Sequence, residues 1–159
     1  HQQVVPAPDL SVIGSDHELS VRAAAAGLTQ LSGPCGERLV GDSILVQGGT
    51  EGDRDRLNAA AAAAGLGTGA GDTVVLVGGA SYQIGGGPGG PGTGTGDVVV
   101  ATDRPYPLAD SRATTALLAA YGRDASTMEA LVQVLLGETT APGALPTPVG
   151  EFPIGAGCS

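Results

Sequence analysis

The chain has 159 residues, the length of one domain. Seven basic against sixteen acidic residues give a formal charge of −9, which excludes binders of nucleic acid backbones and of anionic membranes, since both need clustered cations. Aromatics are 3% of the chain, too few for a free-standing module that stacks sugars on exposed rings, and no apolar run approaches the roughly 20 residues of a membrane span.

Glycine (28) and alanine (24) fill a third of the sequence, and all seven cations are Arg. The sequence opens on His1 and its only Met is Met128, so a piece of a longer protein is expected. Residues 1–14 contain Pro6 and Pro8 and read as a linker. Ser15 with Glu18 three positions on is a capping box opening a helix. Val21, Ala24, Ala25, Leu28 and Leu31 give that helix one apolar stripe, and Gly33-Pro34 ends it.

Ser43 to Gln47 is an apolar run between glycines and predicts a buried strand. Thr50 caps the next helix, with Glu51 and Asp53 in its first turn, where the helix dipole favours anions. Leu57, Ala60, Ala61 and Ala64 form its stripe, and Gly65 stops it. Thr73 to Val77 predicts a second strand and closes a βαβ unit. Asp97 to Ala101 repeats the pattern. Continuous apolar strands of this kind are covered on both faces, as in parallel sheets. Thr115 to Ala119 suits a fourth strand or a helix equally, since Ala and Leu favour helices. Ser126 and Glu129 form another capping box ahead of Met128, Leu131, Val132, Leu135 and Leu136, with Gly137 at the stop. Residues 139–159 carry four prolines and run irregularly over the surface, the last ten as a tail. The expected fold is α/β: a flavodoxin-like three-layer sandwich around a mostly parallel sheet of about five strands. Gly85 to Gly96 has eight glycines in twelve residues and stands where a crossover helix is expected; a glycine-rich loop replaces it.

Cys35 and Cys158 form no metal-binding spacing, and no metal is expected. An even count with one Cys beside the end of the chain favours a Cys35–Cys158 disulfide over two buried thiols, and with it a secreted or cell-envelope location. Gly48 to Gly52 follows a strand and opens a helix, where a dinucleotide fold places its pyrophosphate. GxGxxG and Gly-Lys-Ser/Thr are both missing, and Glu51 and Asp53 repel phosphate, so this is a tight turn and no cofactor is expected. His17, in the first turn of a helix, is expected at a solvated position. Glu51 and Asp103 are the acids at the carboxyl ends of strands; Asp72 and Asp97 precede strands and belong to the opposite edge. Asp103, Arg104 and Tyr106 follow the third strand, where loops of parallel sheets carry function. With Gly49, Thr50 and Glu51 they form the candidate rim for a ligand or a neighbouring domain.

The C-terminal half resembles the C-terminal α/β sandwich domain of glycoside hydrolase family 3, in its beta-N-acetylglucosaminidase (beta-N-acetylhexosaminidase) branch. The residues that carry the resemblance are Asp97-Val98-Val99-Val100-Ala101, Arg104-Pro105-Tyr106-Pro107-Leu108, Tyr121-Gly122, Leu135-Leu136-Gly137-Glu138 and Pro142-Gly143-Ala144-Leu145-Pro146. Arg22-Ala23-Ala24 resembles that domain's first helix more weakly, so the likeness spans residues 15–149. The lack of Lys with excess Ala and Gly points to a high-GC, actinobacterial source. The resemblance implies an N-terminal TIM-barrel partner, on the same or a separate chain, which carries the catalytic Asp. It also implies a carbohydrate cleft bordered by this domain. In the glucosidase branch the sandwich lends a Glu acid/base; the absence of Glu from 52 to 128 fits the other branch. No catalytic residue carries over to this chain, which implies a non-catalytic accessory domain. The alternative is a stand-alone α/β module binding a small molecule or sugar.

Overall fold

The computed structural model describes residues 15–78 and 93–158. The linker and most of the glycine-rich run lie outside the described residues. Helix α1 spans His17–Gly27, followed by strands β1 (Thr29–Ser32) and β2 (Ser43–Gly48), helix α2 (Glu51–Ala63), and strands β3 (Gly67–Thr68), β4 (Asp72–Val77) and β5 (Thr95–Ala101). A 3₁₀ turn at Tyr106–Ala109 precedes strand β6 (Arg112–Ala119) and helix α3 (Ala125–Leu135). The sheet has six strands in the order β1-β6-β5-β4-β2-β3. Every pairing is parallel except β1 with β6. The fold is the expected α/β sandwich, with one more strand and an antiparallel edge.

The two faces of the sheet separate by residue parity, because successive side chains of a strand point to opposite sides. Ile44, Val46, Val74, Leu76, Val98, Val100, Ala116 and Leu118 face one core, shared with all three helices. Val75, Val77, Val99, Ala101, Leu117 and Ala119 face a second core. Among the described residues no helix covers this second face. Leu108 of the 3₁₀ turn and Leu145, Val149, Phe152 and Ala156 of the C-terminal segment cover it instead. The Cys35–Cys158 disulfide closes that segment onto the loop after β1, with Cα atoms 5.7 Å apart.

Three local expectations need correction, and one open alternative is decided. The first helix ends at Gly27, not at Gly33, because Leu28 turns to extended backbone and Thr29–Ser32 pairs with β6. A ladder to a distant strand outweighs a spacing that Leu28 and Leu31 satisfy locally. Its cap position is Asp16 rather than Ser15. Helix α3 is capped by Asp124, whose carboxylate accepts from the Thr127 amide, and not by Ser126. Residues 115–119 belong to a strand: neighbours on both sides satisfy the backbone of β6, and Ala116 to Ala119 is buried between the cores.

Candidate functional site

The turn from β2 into α2 is built by two glycines. Gly48 and Gly49 have φ of +72° and +56°, and a Cβ on Gly48 would stand 2.2 Å from the Leu76 carbonyl oxygen. Only glycine passes so close to β4 in that conformation. Thr50 then caps α2: its hydroxyl accepts from the Asp53 amide at 3.2 Å, while Asp53 Oδ2 accepts from the Thr50 amide at 3.0 Å. This reciprocal pair satisfies two amides at the helix start. Arg54 Nη1 donates to the carbonyls of Gly48 and Gly49 and closes the turn from outside.

Asp53 does more than cap. Its side chain is fully buried, and both oxygens are shared with arginines. Arg123, from the loop after β6, donates from Nη2 to Oδ2 at 2.7 Å and from Nε to Oδ1 at 3.1 Å. Arg56 donates from Nη2 to Oδ1 at 2.9 Å and from Nε to the Arg123 carbonyl at 2.6 Å. Burial pushes the Asp53 carboxyl up, but the hydrogen bonds from Arg123 and Thr50 outweigh it and hold the pKa at about 2. Its hydrogen bond to Asp53 raises Arg123, and the nearby charge of Asp103 adds to the rise. A carboxylate so committed is ionised at neutral pH and has no proton to exchange there.

Gly49, Thr50, Glu51, Asp103, Arg104 and Tyr106 are all exposed, on one edge of the sheet. They form two groups. The first three follow β2 and the others follow β5; β4 lies between, so at ordinary strand spacing the groups stand about 10 Å apart. The loop Tyr121–Asp124 connects them. Arg123 binds Asp53 and Thr50 on one side and feels Asp103 on the other. Tyr121 interacts with Tyr106, and burial raises its hydroxyl pKa despite a hydrogen bond with Thr29. Tyr121 sits at φ +55°, the one non-glycine residue at positive φ among the described residues. Tyr106 and Tyr121 are 51% and 38% exposed, so two aromatic rings mark this rim in a chain poor in them.

Arg56 lies three residues after Asp53 on α2, a spacing legible in sequence. Arg123 is seventy positions from Asp53, and no local signal links the two. Asp72 and Asp97 do lie at the other edge, in structural roles. Asp72 accepts from the Gly41 amide, and Asp97 accepts from the Thr73 amide and from the hydroxyls of Thr73 and Thr114. Those bonds, the Thr73 amide first, hold the Asp97 carboxyl below its ordinary pKa. His17 is exposed and meets Glu129 of α3 at 2.6 Å. It borders a groove of about 500 Å³ between α1 and α3, away from the rim. Among the described residues no group of three metal-ligating side chains converges, and no helix is long and apolar enough to cross a membrane.

No protein-family profile and no curated protein sequence matches the chain. Solved structures do. A glycoside hydrolase family 3 beta-N-acetylglucosaminidase from Paenibacillus sp. str. FPU-7 is similar at a TM-score of 0.60 and 17% identity, over 94% of this chain and 35% of its own. A fungal multi-domain GH3 beta-N-acetylglucosaminidase with a GCN5-related glucosamine N-acetyltransferase region is similar at 0.58 and 13%, over 91% of this chain and 21% of its own. The beta-glucoside phosphorylase BglX is similar at 0.55 and 13%, over 90% of this chain and 34% of its own. The fold is therefore that of one part of family 3 glycoside hydrolases, and the chain spans about a fifth to a third of their length.

Proposed function

We propose that the chain is the C-terminal accessory domain of a family 3 glycoside hydrolase of the beta-N-acetylhexosaminidase type, acting on amino-sugar or cell-wall glycosides. The observation that carries the reading is the coverage: nine-tenths or more of this chain superposes on between about a fifth and just over a third of each relative. The domain is non-catalytic by itself and docks on a TIM barrel of the same or a separate chain. Its docking face is the rim of Gly49, Thr50, Glu51, Asp103, Arg104 and Tyr106, joined by the Tyr121–Asp124 loop. The buried Asp53, paired with Arg56 and Arg123, supports this role, because it ties the start of α2 to the loop after β6 and so fixes the geometry of the rim. The disulfide is compatible with a secreted or cell-envelope location.

The test is hydrolysis of a fluorogenic N-acetylglucosaminide by the purified chain, alone and mixed with a family 3 barrel domain. The expected result is no turnover alone and a change in barrel activity or stability on mixing. Turnover by the chain alone, surviving repurification, would overturn the reading. A rise in melting temperature with a sugar or nucleotide, and no effect on the barrel, would favour a stand-alone binding module.

A further inference from the structure

The C-terminal segment, residues 141–158, is a strap rather than a tail. It has no helix, and its order comes from a few backbone bonds. The Gly143 amide donates to the Leu28 carbonyl, the Leu145 amide to Ala156, and the Gly155 amide to Leu145. Val149 and Phe152 exchange two bonds. Leu145 and Val149 are buried in the second core beside Leu108. At Gly150 the strap lies directly on the 3₁₀ turn: an added Cβ would stand 3.0 Å from the Ala109 Cβ. That turn carries Tyr106 to the rim.

The strap's far end is fastened by Cys158 to Cys35. The anchoring loop is tied to β1 by the buried Gln30 amide, which donates to the carbonyls of Ser32 and Pro34. The bridge is nevertheless reachable: Cys35 is exposed and Cys158 half-buried. Exposed disulfides are the ones thiols attack readily.

We propose that Cys35–Cys158 is a redox-sensitive latch that holds the strap on the sheet and, through it, the turn bearing Tyr106. Opening takes two electrons and two protons and yields two thiols; two molecules of a small thiol, or one dithiol protein, supply them and are oxidised to a disulfide. The open latch frees the strap and loosens the rim turn, while the helix-side core, which the strap enters only through Ala141, stays folded. This inference does not rest on the glycosidase reading.

The experiment is hydrogen exchange of the full chain, oxidised and after reduction by a phosphine. Protection in residues 143–157 and 105–112 is expected to fall at least about tenfold more than protection in α3, whose amides register only the lower global stability, and reoxidation restores it. No change in 105–112 would overturn the proposal, and so would a uniform loss across all segments. The variant Gly150→Ala, with the bridge intact, should loosen 105–112 together with residues 149–152 around the strained position, leaving α3 unchanged. The Cys35→Ser/Cys158→Ser pair should copy the reduced state; if it folds poorly, the phosphine result on the native chain decides.

Discussion

Asp53 concentrates more of the rim's energetics than any residue chosen for its exposure. Its folded-state pKa of about 2 lies below the ordinary 3.8, so the carboxylate contributes stability that is present above pH 4 and lost as pH falls through 2. The shift corresponds to about 2 kcal/mol. Asp53→Asn is expected to cost about that at pH 7, and its gap from the native chain should close between pH 4 and pH 2. Urea unfolding across that range checks it; a gap that does not change with pH would mean another group titrates. Arg123→Ala leaves the buried carboxylate with Arg56 and Thr50 alone, and is expected to destabilise by about 2–3 kcal/mol, somewhat below a fully buried pair because Arg123 is one-third exposed. Arg123→Lys keeps the charge but not the two-pronged contact, so its unfolding midpoint should fall between the two.

The rim depends on the β2–α2 turn as an element. Gly48 cannot carry a side chain beside the Leu76 carbonyl. Gly48→Ala is therefore expected to cost more than about 2 kcal/mol and to displace Gly49, Thr50 and Glu51 together. Chemical denaturation gives the first effect; the backbone amide shifts of residues 49–53 give the second, and unmoved shifts would show that the turn tolerates the methyl group. This turn was legible in sequence because its signals are local: an apolar run, two glycines, a cap and its acids. β4 and β5 were legible for the same reason. β1 was not, since Leu28 and Leu31 happen to continue a helical spacing and only β6, some ninety positions on, draws Thr29–Ser32 into the sheet. β6 was half legible: its Ala and Leu suit either state locally, and its place between two strands decides. The cap of α3 was displaced by two residues because Asp124 and Ser126 both offer a side-chain oxygen.

At the scale of the molecule, the two faces of the sheet are held by different means. The helix side is an ordinary core of three packed helices. The strap side has one 3₁₀ turn and an irregular segment, so a covalent closure does there what helix packing does opposite. Residues of the third layer looked like surface in sequence, because prolines and glycines hide Leu145, Val149 and Phe152 among them. The closing pair was still visible, as two cysteines at the ends of a long span. Cys35 and Cys158 are 123 positions apart, and closing a loop of that length lowers the entropy of the unfolded chain by an amount worth about 5 kcal/mol. For a domain of this size each kcal/mol moves the melting temperature by about 2–4 °C, so the Cys35→Ser/Cys158→Ser pair should melt about 10–20 °C lower. Calorimetry on native, reduced and doubly substituted chains checks this. Equal falls for the reduced and substituted chains would assign the loss to the bridge. A fall of under about 3 °C would mean that Leu145 and Val149 hold the strap by packing alone, and that the unfolded chain gains little freedom when the bridge opens.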